Sequence, residues 1–198
     1  MQYRDAIEYL TTRWTDQLIV TSAGSSSELW YQITGDRERV FYLEASMSLT
    51  SMFAAGIAVG VADRDVWAFS GDGAFCMNPG MLVVERRLDL PNLKHFVLSN
   101  RVYGSTSNTL LPGGAHNDYA AVARGFGIER VHGFDALDDF KSGFDEAVMA
   151  PGHAVIVLEV APYAYAKGSP PMDGPEVKFN VGRYIESITG KAVFGGAR

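Results

Sequence analysis

Two polar residues at a telling spacing carry most of the chemistry this chain could do. Asp72 stands between Gly71 and Gly73, and Asn100 follows 28 positions later. A carboxylate between glycines sits on a backbone that can approach a phosphate closely. An amide oxygen on a neighbouring element, a backbone carbonyl and phosphate oxygens would complete an oxygen-rich Mg²⁺ site, which takes few protein ligands. The amides of Gly73 and Ala74, with a helix expected to begin near Asn78-Pro79, favour an anion beside that metal. Taken alone, Gly71-Asp72-Gly73 is also the composition of an ordinary turn. Context separates the two readings: the tripeptide follows a buried strand, and Ser99-Asn100 ends the next one.

The elements that must hold these residues follow from hydrophobic patterning. Apolar runs at Gln17–Val20, Val40–Leu43, Val66–Phe69, His95–Leu98, Ile128–Val131 and Ala154–Val160 read as six strands. Helical patterns lie between them: Ser25–Ile33 behind three capping serines, Ser48–Ala62, Asn78 to about Leu88, Asn117–Phe126 and Ala136–Met149. Strands alternating with helices predict an α/β fold, a six-stranded, mostly parallel sheet with helices on both faces. In such sheets ligands sit beyond the carboxyl ends of the strands, where Gly24-Ser25, Ala45-Ser46-Met47, Asp72 and Asn100 all fall. Residues 1–162 read as one domain. Residues 163–198, rich in proline and glycine, read as a linker and tail with a short helix at Tyr184–Ile188, a segment that could dock on a neighbouring subunit.

Composition removes other classes. The 198 residues are 47% hydrophobic and 20% charged, the balance of a globular domain rather than a disordered chain. A net charge of −6 with no basic block is a poor match for nucleic acid. One cysteine, Cys76, excludes an intrachain disulfide and a multi-cysteine metal site, and makes a cytoplasmic setting the expectation. No apolar stretch approaches the ~20 residues of a membrane span.

The run GDGAFCMNPGMLVVERRLDLPNLKHFVLSNRVYGS resembles the motif of thiamine diphosphate enzymes. With FYLEASMSLTSMFAAGIAVGVA upstream, the likeness extends over roughly 17–162. It points to the diphosphate-binding (PP) domain of the 2-oxo-acid decarboxylases, and most resembles the beta subunits of sulfopyruvate and phosphonopyruvate decarboxylases. The resemblance implies that Asp72, the Asn100 side chain and the Val102 carbonyl ligate Mg²⁺. It implies that Gly71, Gly73 and Ala74 meet the diphosphate, that Tyr103 and Gly104 close over it, and that Gly24 and Ser25 form a first phosphate loop. Met47 would wedge beneath the cofactor, and the Ala45 carbonyl would accept from its 4′-amino group. The family's pyrimidine-activating glutamate lies in a separate PYR domain, so the resemblance implies an alpha subunit as partner and a hetero-oligomeric lyase acting on a small anionic 2-oxo acid. A non-catalytic cofactor-binding or regulatory subunit, and one half of an acetolactate synthase-like carboligase, are the alternatives. The sequence departs from the family pattern at Ser48, Ser99 and 105–109.

Other residues keep two readings each. His116, in a glycine loop past the motif, is either a pocket residue able to move a proton or a solvent-exposed histidine. Arg101 either meets an anion or is solvated. Cys76 reads as a buried, inert thiol rather than one approaching the cofactor. Glu28 reads as a surface carboxylate and Glu44 as half-buried at the site's edge. His95, His132 and His153 read as structural. The small-residue helix 51–62 packs either within the chain or against a subunit.

Overall fold

The computed structural model describes residues 1–44, 46–163, 168–171 and 173–195. Six parallel strands form the central sheet, in the order β2-β1-β3-β4-β8-β7: β1 (Leu18–Ser22), β2 (Val40–Leu43), β3 (Val66–Gly71), β4 (Leu93–Ser99), β7 (Val131–Phe134) and β8 (Ala154–Glu159). A separate two-stranded antiparallel hairpin, β5 (Val102–Tyr103) and β6 (Thr109–Leu110), follows β4. The expected sheet is therefore present, while β7 starts three residues after the expected Ile128. The hairpin gives no apolar run, because its second strand is fully exposed.

Period-two alternation along the strands sorts the core onto two faces. Trp67, Phe69, Phe96, Leu98, Ile156 and Leu158 point to one face, where α1 (Tyr3–Arg13), α2 (Ser25–Thr34) and α7 (Leu137–Phe144) cover them. All three tryptophans belong here, Trp14 edge-on to Trp30 at 5.5 Å and Trp67 beside Phe96 at 5.8 Å. Val20, Val66 and Ala68 point the other way, under α3 (Thr50–Gly60) and α8 (Gly174–Thr189). Val97, Val155 and Val157 complete that second face beneath α4 (Asp72–Met77), α5 (Met81–Leu88) and α6 (Tyr119–Gly125).

Several helices differ from the sequence expectation. α1 buries Tyr3, Ala6, Ile7 and Leu10, an i, i+3, i+4, i+7 stripe on a segment whose other positions are largely polar or charged. α8 runs over 16 residues rather than five, because Asp173 caps it and Pro175 fits its first turn. Its Val177 and Val181 pack on the sheet of this same chain. α6 is capped by Asp118, whose carboxylate accepts from the Ala121 amide at 2.8 Å, not by Asn117. After Phe144, α7 widens into a π-turn over Asp145–Met149.

From β1 the chain moves to one side for β2 and then crosses to the other side for β3. That reversal between adjacent strands opens a crevice at their carboxyl ends.

Candidate functional site

The crevice is lined by residues from four loops. Gly24, Ser25 and Ser26 come from the end of β1, and Met47 from the turn before α3. Gly71, Asp72, Gly73 and Ala74 come from the end of β3, and Asn100, Val102, Tyr103 and Gly104 from the end of β4. Every candidate cofactor-binding residue except Ala45 is brought to this one place, and Ala45 lies outside the described residues. His116 is exposed on the short turn Gly114–His116 and is not among the residues lining the crevice.

Register explains the meeting. β3 and β4 pair up to Gly71 opposite Leu98, so Asp72 and Asn100 emerge just beyond the last rung of the same ladder. The Arg101 amide donates to Asp72 Oδ2 at 2.6 Å and the Gly73 amide to Asp72 Oδ1 at 2.9 Å. Asn100 Oδ1 accepts from the Val102 amide at 3.1 Å, which folds the β4 tip into a tight turn.

Two helices begin at the crevice. Gly24 adopts φ 108°, ψ −149°, a conformation that favours glycine, and turns the end of β1 into α2. The first intrahelical bond runs from the Glu28 amide to the Gly24 carbonyl, which leaves the amides before it available to a ligand. Gly24 is the cap, so the serines are not the expected cap. Ser26 instead donates back to the Ser22 carbonyl at 3.2 Å, and Ser27 donates to the Glu44 carboxylate. The second helix, α4, begins at Asp72 itself and has no counterpart in the sequence expectation, whereas the helix expected from Asn78 is α5, which starts three residues later at Met81 and ends at Leu88. A strand passing straight into a helix at Gly71-Asp72-Gly73 carries no sequence gap to mark the change.

Close approach is built into the walls. A Cβ on Gly73 would stand 2.8 Å from the Tyr103 ring, and one on Gly104 would stand 2.7 Å from Ser25 Oγ. These glycines let the loop after β4 lie against the starts of α2 and α4.

The electrostatics fit a cation. Asp72 is 1% exposed, and among the described residues no side chain hydrogen-bonds to it. Burial pushes its carboxyl up to about 6, against the two backbone amides that hold it down. A divalent ion beside Asp72 and Asn100 would relieve that buried charge, and the donors present are hard oxygens. The glycine walls and helix starts fit a diphosphate alongside it.

Ala23, Ser26 and Ser105 line the crevice beside the expected residues, and one further lining residue comes from an element the sequence did not predict. Tyr3, from α1, is 3% exposed and reaches the crevice, and its hydroxyl is held above the ordinary tyrosine range by burial and by Asp72. The signal that could have found it is the apolar stripe of α1.

Three other expectations change. Arg101 is half-buried and not free for an anion, because its guanidinium is bound by Glu159, with Nη2 to Oε1 at 2.5 Å and Nε to Oε2 at 3.0 Å. Cys76 is exposed, because α4 turns Phe75 inward instead. Glu28 is buried, on the inner turn of α2. His95 and His153 are structural, as expected, but they share a buried partner: Glu85 Oε2 lies 3.1 Å from His95 Nδ1 and 3.2 Å from His153 Nε2. His95 Nε2 then meets Ser70 Oγ at 3.0 Å. Glu44 is half-buried, as expected.

Residues 23–158 match the family described as thiamine pyrophosphate enzyme, C-terminal TPP binding domain. The sulfopyruvate decarboxylase subunit beta of Methanocaldococcus jannaschii is 32% identical over 74% of this chain and 77% of that protein. The subunit beta of Methanothermobacter thermautotrophicus is 28% identical over 94% of this chain and 95% of its own length. The sulfopyruvate decarboxylase of Methanosarcina acetivorans is 33% identical over 66% of this chain but only 33% of its own. Among solved structures, a benzoylformate decarboxylase from Polynucleobacter necessarius superposes with a TM-score of 0.70 at 19% identity over 83% of this chain. A putative thiamin diphosphate-dependent enzyme from Mycobacterium smegmatis superposes at 0.68 with 24% identity over 82%. The chain spans about a third of each of those two solved chains, and at that identity they share the fold with it. Among the described residues no helix is long and apolar enough to cross a membrane.

Proposed function

This chain belongs to the thiamine pyrophosphate enzyme family, as its C-terminal TPP-binding domain, and on that premise we propose that it is the Mg²⁺- and thiamine diphosphate-binding subunit of a 2-oxo-acid decarboxylase. One observation carries the proposal. A buried carboxylate and an amide oxygen meet beyond neighbouring strands, between two helix starts and two glycine walls. Asp72, Asn100 Oδ1 and the Val102 carbonyl would hold the metal. The amides at Ser25, Gly73 and Ala74 would hold the diphosphate, and Met47 would support the rings. When bound, thiamine diphosphate supplies the nucleophilic carbon on which decarboxylation depends.

The chain's own part is to bind and to orient. Helix starts and glycines grip the anionic end. Tyr103 and Gly104 cover it and limit water. Tyr3 closes the floor beneath Asp72. Among the described residues that line the crevice, Asp72 is the sole carboxylate, and it is committed to the metal. A pyrimidine-activating carboxylate must then come from elsewhere, which supports an alpha subunit with a PYR-type domain as partner. The relatives named subunit beta support the same division, as does the Methanosarcina protein, only a third of which aligns here.

The face that receives this partner is the one covered by α3, α4 and α5, two of which supply or adjoin lining residues of the crevice. Leu49, Phe53 and Val59 on and before α3, and Met77, Val83 and Val84 on α4 and α5, are exposed there. α3 itself carries no charge over Thr50–Gly60. The substrate in this reading is a small anionic 2-oxo acid of the sulfopyruvate or phosphonopyruvate kind, and the setting is cytoplasmic.

The test is binding of thiamine diphosphate by calorimetry, on the chain purified with and without its co-expressed alpha subunit. Metal-dependent binding by the complex is expected, and Asp72→Ala abolishes it without lowering the melting temperature. Absence of binding in both preparations overturns the proposal.

A further inference from the structure

Arg101 sits between Asn100 and Val102, and its φ of 63° places it in the left-handed region that non-glycine residues rarely adopt. Such a conformation persists only where surrounding contacts impose it. Here they come from four directions. The backbone amide donates to Asp72 Oδ2 at 2.6 Å, and the backbone carbonyl accepts from the Leu111 amide at 3.1 Å. Nη1 donates to the carbonyls of Gly114 at 2.6 Å and Asn117 at 2.5 Å. Nε and Nη2 form a two-pronged fork on Glu159, and the guanidinium lies 5.0 Å from the centre of the Tyr119 ring. Four of the five N–H donors of an arginine are thereby committed to the protein. Glu159 is a fixed anchor, since it ends β8 directly opposite Ser99 in the sheet.

We propose that Arg101, acting through Glu159, is the positioning residue of the metal site. The inference rests on the cofactor reading above. The fork imposes the turn that aims Asn100 and Val102 toward Asp72. The same guanidinium fastens the segment 111–117, so that the hairpin β5–β6 lies with Tyr103 against Gly73. The metal loop is thus set before any ligand arrives, and the ordering that binding would otherwise require is already done. A lysine cannot do this, because an ammonium group has no planar fork.

The test uses the chain in complex with its alpha subunit and the variants Glu159→Gln and Arg101→Lys. Thiamine diphosphate binding is followed by calorimetry while Mg²⁺ is titrated, and amide exchange is recorded without ligand. Each variant is expected to need about tenfold more Mg²⁺ for half-saturation, to reach full occupancy at excess Mg²⁺, and to exchange faster over 101–117 alone. A contribution to fold stability only would lower the melting temperature and leave the half-saturation point in place, and that result overturns the proposal. If the wild-type complex binds and both variants bind equally well, the positioning role fails while the cofactor reading stands. If the wild-type complex does not bind, the cofactor reading fails first.

Discussion

At the scale of single residues, Asp72 sets a pH dependence. Its carboxyl is raised by burial to about 6, so the folded, metal-free chain holds a proton that the unfolded chain gives up nearer the ordinary value of 3.8. The sign follows: this group makes the metal-free fold less stable as pH rises from about 4 to about 6. Cation binding runs the other way, since a proton and a metal compete for the same oxygens. The apparent Mg²⁺ affinity, measured by titration calorimetry, should fall up to about tenfold per unit below pH 6 and level off above about pH 7. Gly104→Ala tests the wall of the crevice. Its methyl would stand 2.7 Å from Ser25 Oγ, so thiamine diphosphate binding should weaken at least about tenfold with little change in melting temperature. The Asp72–Asn100 pair was legible in the sequence because each residue ends an apolar run. The fork between Arg101 and Glu159 was not, because partners 58 residues apart leave no local pattern.

Elements show where patterning speaks and where it is silent. The strands were legible because burial on both faces makes them continuous apolar runs. α1 and most of α8 were not, since each buries a narrow stripe and keeps its remaining surface polar. Their weight in the fold is nonetheless testable. Leu10, fully buried in the α1 stripe, should cost about 2–5 kcal/mol when cut to alanine, as read by chemical denaturation. α5 is tied down by charge as well as by packing. Glu85, 1% exposed, sits between His95 and His153, and those two imidazoles hold its carboxyl well below the usual range although burial alone pushes it up. A lowered carboxyl stabilises the fold above its unfolded value and loses that contribution as pH falls. Glu85→Ala should therefore destabilise the chain by roughly 3–5 kcal/mol at pH 7 and flatten the acid limb of its stability curve in denaturation series run from about pH 7 to about pH 3.

The whole molecule has an asymmetry that the separate strands and helices do not reveal. α3, α4 and α5 cover the same face of the sheet and carry exposed apolar side chains, and Met47 before α3 and Asp72, Gly73 and Ala74 on α4 line the crevice. An isolated chain with that face uncovered should self-associate as its concentration rises, and the alpha subunit should suppress this in sedimentation runs. Val84→Glu, at a 42% exposed position, should keep the melting temperature within about 1–2 °C while lowering recovery of the partner in co-purification.

The tryptophans add a practical consequence. Trp14, Trp30 and Trp67 all sit with the α1, α2 and α7 layer, and among the described residues the indole N–H groups of Trp30 and Trp67 have no hydrogen-bond partner. Ultraviolet emission from this protein is therefore a one-sided gauge: blue-shifted while that half of the molecule is dry, and nearly deaf to loosening of α3, α5 or α8 across the sheet. A melt followed by intrinsic emission and one followed by backbone ellipticity should agree only if both halves come apart together.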